Sequence, residues 1–117
     1  MSNQTAKADA GKLEIDLVPA QIIRDIAEVR MYGNTKYGSP DNWKHVELRR
    51  YINALLRHTI AFWEDPLGVD AESGIAHYKH MACNMAFICE MLKTPPSSAE
   101  VHAMLEEMAE VLRESEK

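Results

Sequence analysis

Residues 70–84 read DAESGIAHYKHMACN, and this stretch gathers the side chains best suited to chemistry. Asp70 and Glu72 are carboxylates two apart. Ser73-Gly74 forms a break, His77 and His80 follow three apart, and Asn84 lies one helical turn further. On a helix His77, His80 and Asn84 share a face, so two imidazoles can reach one metal ion or one phosphate. The i,i+3 pair is common by chance, and a polar helix edge is its ordinary role. Asp70 or Ser73 equally suits the N-cap of the helix that follows. With Glu64 and Asp65 upstream, the segment carries a carboxylate cluster, and carboxylates facing histidines are how metal sites in helical bundles are built. Oxygen-rich ligand sets suit magnesium or manganese; added imidazoles shift the preference toward manganese, iron or zinc.

Two other stretches supply complementary groups. In RRYINALLRH, His58 lies on the same side of a helix as Tyr51, Ala54 and Ala61. Arg49, Arg50 and Arg57 are nearby; a guanidinium presents paired donors that match phosphate. KYGSPDNW is a loop with Lys36 for a phosphate and Tyr37 and Trp43 as stacking surfaces for a base. Trp43 suits packing onto the bundle equally well.

Four helical segments position these groups. The first follows LVP, with Pro19 in its first turn, Ile22, Ile23, Ile26 and Val29 at helical spacing, and Gly33 as its stop. The second is capped by Asp41 or Asn42 and runs to Phe62 or Trp63, with Leu48, Tyr51, Ile52, Leu55 and Phe62 as its apolar stripe. The third runs from near Ser73 to Leu92, burying Tyr78, Met81, Ala82, Met85, Cys89 and Leu92, and Pro95-Pro96 end it. The fourth opens on a capping box, Ser97 with Glu100, and continues with Val101, Met104, Leu105, Met108, Val111 and Leu112. LEIDLV is the one short strand candidate. The pattern predicts an all-α fold, a small bundle of about four helices with a short irregular N-terminal segment. Residues 1–11 read as a disordered tail and 12–117 as a single α-helical domain. The last helix either closes the core or forms a homo-oligomer.

The chain has 117 residues and a formal net charge of −5, with no basic run. Extended nucleic acid is therefore not an expected partner. No apolar stretch reaches membrane-spanning length, and MSNQTAKADAGK lacks the apolar core of a secretion signal. The expected location is cytoplasmic. Cys83 and Cys89, six apart on one helix, point to different sides and read as small buried hydrophobes in a reducing compartment.

Taken in order, KYG…NW, RRYINALLRH, D-x-E-S-G, H-x-x-H and CN resemble a family of small, largely phage-encoded proteins named for the dATP/dGTP diphosphohydrolase N-terminal domain. The resemblance covers residues 12–92. WEDPLGVD departs from it, because a Gly-Glu pair is expected ahead of Asp70. The paired E-x-x-E/D helices of MazG-like pyrophosphohydrolases and the adjacent His-Asp of HD phosphohydrolases are both absent. The resemblance implies metal-assisted hydrolysis of purine deoxynucleoside triphosphates (dATP and dGTP), adjusting nucleotide pools during infection in the host cytoplasm. His58, Asp70, Glu72, His77 and His80 are then the candidate ligands of a divalent metal (Mg, Mn or Zn), and Glu72 and His58 the catalytic candidates. Lys36, Tyr37, Asn42, Arg50, Arg57 and Asn84 are the candidate substrate-binding residues. Two alternatives use the same residues without catalysis or leave them idle. One is a phage protein that binds or sequesters a nucleotide, including a cyclic nucleotide of host defence; the other is an interaction protein that docks a partner on its fourth helix.

Overall fold

The computed structural model describes residues 8–94 and 97–115, so most of the 1–11 tail and Pro95-Pro96 lie outside the described residues. A short 3₁₀ turn, Ile15–Leu17, precedes helix α1 (Gln21–Tyr37). A second 3₁₀ turn, Asn42–His45, leads into α2 (Leu48–Glu64), followed by α3 (His77–Leu92) and α4 (Ser98–Ser115). The fold is all-α: the described residues contain no β-strand, only an isolated bridge between Val69 and Ala76. LEIDLV is the 3₁₀ turn and not a strand. Its residues are exposed, and no sheet edge is present to pair with.

α1 passes through Gly33 and stops five residues later than expected, with Gly38 and not Gly33 as its stop. A glycine inside a helix costs only about 1 kcal/mol relative to alanine, so Gly33 does not break it. The residue that does is Gly38, in the left-handed region at φ +69°, whose N–H donates to Asn34 O at 2.9 Å. Neither Asp41 nor Asn42 caps α2. Asp41 precedes the 3₁₀ turn and its carboxylate pairs with Lys44 at 3.1 Å. α2 begins after Glu47, which makes no side-chain cap bond.

α3 lies between the other two long helices and packs against both α1 and α2. It carries four buried residues, His80, Cys83, Asn84 and Ile88. This is a correction: the expected inner stripe of Tyr78, Met85 and Leu92 is about 40 % exposed, and Cys89 is exposed as well. The half-polar face turns inward because its polar groups find partners there. Asn84 Nδ2 donates to His80 O at 2.9 Å, and Lys79 ties α3 to Glu28 at 2.8 Å and to buried Asp25 at 3.7 Å.

The small apolar core joins Val29 of α1 to Cys83 of α3 and to Ile75, with Ile26, Tyr32 and Phe87 packed around them. α1 starts outside this core, since Ile22 and Ile23 are 44 % and 61 % exposed. Phe87 anchors the loop between α1 and α2. Trp43 stacks on it with centroids 5.1 Å apart, Tyr51 tilts against it at 4.8 Å, and the Arg30 guanidinium lies 5.2 Å from its centroid. Tyr51 Oη donates to Trp43 O at 2.7 Å and Arg30 Nη2 to Pro40 O at 2.5 Å. Trp43 thus packs onto the bundle. α4 opens as its capping box predicts, with Glu100 N–H donating to Ser97 Oγ at 3.1 Å, and leans on the end of the α2–α3 pair, where Glu107 lies 3.4 Å from Arg49.

The two glycines of α1 give a paired test. A Cβ at Gly38 meets nothing within 4 Å, so Gly38→Ala carries only the cost of a positive φ, about 1 kcal/mol of lost stability. At Gly33 the nearest atom to an added Cβ is Arg30 Nη1 at 3.9 Å, so Gly33→Ala is expected to gain about 0.5–1 kcal/mol. Urea denaturation of the two variants should shift the midpoint in opposite directions.

Candidate metal and phosphate site

The segment between α2 and α3 is knotted by its own backbone. Asp70 N–H donates to Ile75 O at 2.9 Å, and His77 N–H to Gly68 O at 3.1 Å. Gly74 N–H donates to Asp70 O at 2.7 Å, with Gly74 at φ +71°. The Asp70 carboxylate accepts from Ser73 N–H at 2.8 Å, and Ser73 Oγ accepts from Ile75 N–H at 3.1 Å. These bonds use Asp70 and Ser73 to close a loop, so α3 starts at His77 and not near Ser73.

The loop carries Asp70 to a cluster of three histidines. His58 Nδ1 of α2 lies 2.9 Å from His77 Nδ1 at the start of α3, and the His58 ring stacks on His80 with centroids 4.6 Å apart and 7° between planes. One ligand atom from each of His58, Asp70 and His77 falls within 4.8 Å of the others. His80 is buried, and its Nε2 lies 2.7 Å from Ser73 Oγ. Ser73 Oγ thus accepts from Ile75 N–H and also bonds His80 Nε2, with the imidazole tautomer setting which of the two carries the shared proton.

Burial holds His58 down at a pKa of about 4, helped by His80 and His77. His80 is also lowered, again chiefly by burial. Burial opposes ionisation of Asp70, but the Ser73 N–H and hydroxyl and the neighbouring imidazoles outweigh it and keep the carboxyl below its ordinary range. His58 and His80 are therefore biased to their neutral forms beside one carboxylate, as a bound cation requires.

A cleft of about 520 Å³ opens from His58, Asp70 and His80 between α1, α2 and α3. Lys36, Tyr37, Asn42, Arg50, Arg57, Glu72 and Asn84 all line it, as do Trp43 and Phe87 at its aromatic floor. All the sequence candidates for metal and substrate but His77 are brought together here, though not in one role; His77 meets His58 and Asp70 without lining the cleft. Glu72 stands outside the three-residue cluster, 2.5 Å from Lys36 Nζ and bonded to the Tyr32 hydroxyl, and both contacts lower its pKa. Arg50 and Arg57 form no ion pair among the described residues. A chain of net charge −5 thus turns four cations, with Arg30, into one cleft against two carboxylates. Glu64 and Asp65 are exposed at the end of α2 and do not line it. Tyr32, Arg30 and Phe87 line it too, beyond the sequence candidates; the i,i+4 spacing of Tyr32 and Lys36 is the signal that places Tyr32 on the cleft face.

A model of the family described as dATP/dGTP diphosphohydrolase, N-terminal, matches residues 2–100. The chain belongs to this family. A dATP/dGTP diphosphohydrolase of Salmonella phage PMBT28 is 32 % identical over 92 residues, which are 79 % of this chain and 31 % of that protein. This family member therefore spans about a third of that relative's length. No solved structure matches it. No helix among the described residues is long and apolar enough to cross a membrane.

The depressed His58 pKa makes a stability prediction for the metal-free protein. Below about pH 6.5 an unfolded chain protonates this histidine, whereas the folded chain resists until about pH 4. Stability is then complete above pH 6.5 and falls as the pH drops from there toward 4. Thermal melts across that range should show the decline, and His58→Gln should flatten it.

Proposed function

We propose that this chain is a metal-dependent phosphohydrolase acting on purine deoxynucleoside triphosphates, with His58, Asp70 and His77 holding one divalent ion. The observation that carries the reading is the juxtaposition of this two-histidine, one-carboxylate cluster with a cleft holding two unpaired guanidiniums. The cluster fits an ion. His58 and His77 would each give an imidazole nitrogen, and their Nδ1 atoms lie 2.9 Å apart, with one ligand atom from each of His58, Asp70 and His77 within 4.8 Å of the others. Two imidazoles favour manganese, iron or zinc over magnesium. Such an ion supplies charge neutralisation of a phosphate and a more acidic bound water.

The chain's own groups do the rest. Arg50 and Arg57 bind the phosphate oxygens, and Arg57, one residue before His58, orients the chain toward the cluster. Lys36 exchanges Glu72 for a phosphate oxygen, which frees the Glu72 carboxylate to take the proton of an attacking water. Ser73 holds His80, and His80 holds the His58 ring in place by stacking. Tyr37 and Asn42 also line the cleft and would meet the base. The dATP/dGTP preference is taken from the family and the phage relative's name, and applies here as part of the proposal.

Incubation of the purified protein with dATP and dGTP, with and without Mn²⁺, tests this by following released phosphate or diphosphate. His77→Ala and Asp70→Asn should each lower kcat by about 100-fold or more, through lost metal affinity. Arg57→Ala should chiefly raise KM, by about tenfold. Metal-loaded protein that leaves both nucleotides intact would overturn the hydrolase reading. Recovery of tightly bound, intact nucleotide after EDTA would replace it with sequestration.

A further inference from the structure

Asn84 is a polar side chain of the cleft whose bonding capacity is half used. It is only 8 % exposed, and the cleft is where it meets open space. Its Nδ2 donates to His80 O at 2.9 Å, which fixes the amide, since only the nitrogen can donate to a carbonyl. Oδ1 is turned the other way, and no donor among the described residues bonds it. A buried acceptor left so is costly until a partner arrives.

The register of α2 and α3 fixes where this acceptor sits. His80, Asn84 and Phe87 share one face of α3, at i, i+4 and i+7, and Tyr51, Ala54 and His58 share one face of α2, at i, i+3 and i+7. The two faces run antiparallel: His58 stacks on His80 with centroids 4.6 Å apart, and Tyr51 tilts against Phe87 at 4.8 Å. Ala54 and Asn84 each lie three residues in from the Tyr51–Phe87 end, so they come level between the two ring pairs. Large rings close the seam at both ends, and a methyl and an amide line the cleft between them.

We infer that Asn84 is a specificity residue, whose Oδ1 accepts a hydrogen bond from the sugar hydroxyl of a nucleotide with its phosphates at the histidine end. Phosphate oxygens are acceptors, so the atom that Asn84 offers cannot serve them. That separates it from Lys36, Arg50 and Arg57, whose donors match phosphate. A ligand held by those cations must bring an O–H or N–H from its other half to Asn84. Position selects the sugar. Asn84 lies one turn, about 6 Å, beyond His80 along α3, and in a nucleotide the sugar is the next group past the phosphate. In the 2′-deoxy series its free hydroxyl is the 3′. The small side chain of Ala54 leaves room at this level, and the Trp43–Phe87 stack lies one turn further along α3. The inference rests on the cleft taking a nucleotide, as proposed above, and not on its cleaving one.

Titration calorimetry on the full chain in EDTA, which stops metal-dependent turnover, tests it with dATP, 2′,3′-dideoxyadenosine triphosphate and inorganic triphosphate. The wild type should bind dATP about tenfold more tightly than the dideoxy analogue. Asn84→Leu should abolish that preference by weakening dATP alone, and should bind inorganic triphosphate as the wild type does. Should that variant fail to fold, Ala54→Leu fills the same level from the other helix and should likewise lose the preference while keeping triphosphate. Equal binding of dATP and the dideoxy analogue by the wild type overturns the inference. So does a preference that survives Asn84→Leu, or a loss in that variant shared by both nucleotides, which would assign the acceptor to the base. A chain that binds neither triphosphate nor dATP fails the nucleotide reading itself, and the inference with it. One that shows the 3′-hydroxyl preference yet leaves dATP intact with Mn²⁺ fails the hydrolase reading alone and supports this one.

Discussion

The contact between His58 and the two histidines of α3 governs this molecule. It places ring on ring and nitrogen near nitrogen at a position where a helical pair would ordinarily bury leucines. Such a seam contributes less hydrophobic stabilisation than an aliphatic one, and it keeps a set of lone pairs inside the protein. Everything near it is arranged to make that arrangement tolerable. Ser73 takes up His80, the loop backbone takes up Asp70 and Ser73, and burial biases His58 and His80 toward their neutral forms.

The half-polar interior also explains why the apolar core is small and lies to one side. Val29, Ile75 and Cys83 form it, and the aromatic group of Trp43, Tyr51 and Phe87 extends it toward the loop after α1. That extension stiffens the cleft. The Arg30 and Tyr51 side chains bind the carbonyls of Pro40 and Trp43, so the loop bordering the cleft is fastened at two points before any ligand enters. Arg30 is thereby committed to structure, while Arg50 and Arg57 form no ion pair among the described residues.

The helices were legible in the sequence because apolar periodicity, the proline pair and the Ser97–Glu100 box are local signals. Their ends were less so. Gly33 and Gly38 are the same residue type, and only the backbone path decides which one adopts a positive φ. Ser73 has the chemistry of a cap, yet its hydroxyl is claimed by Ile75 and His80, contacts that arise from the loop closing on α3. The inward face of α3 runs against hydropathy for a related reason. Tyr78, Met85, Cys89 and Leu92 are more apolar than His80 and Asn84, and hydropathy alone ranks them as interior. What reversed the order was the supply of partners on α1, α2 and the loop. In the cleft, residue types and spacing brought forward Lys36, Arg50, Arg57, His58, Asp70 and the His77–His80 pair. The Lys36–Glu72 pairing and the separation of Glu72 from the three-residue cluster depend on distant segments meeting, which spacing does not encode.

The loop that supplies Asp70 and Ser73 has a consequence for how the centre comes into being. Asp70, Ser73, His77 and His80 lie within eleven consecutive positions, and His58 is only nineteen residues before His77. The chain entropy lost in gathering them grows only logarithmically with loop length, so a cluster this local is cheap to assemble. It has the low contact order of an αα-hairpin, the kind of unit that forms early because its contacts are near in sequence. The segment from α2 through the first turns of α3 therefore carries the whole donor set as one contiguous module. The cleft walls from α1 and its following loop are added to it from outside, and they can vary without disturbing the donors at its end.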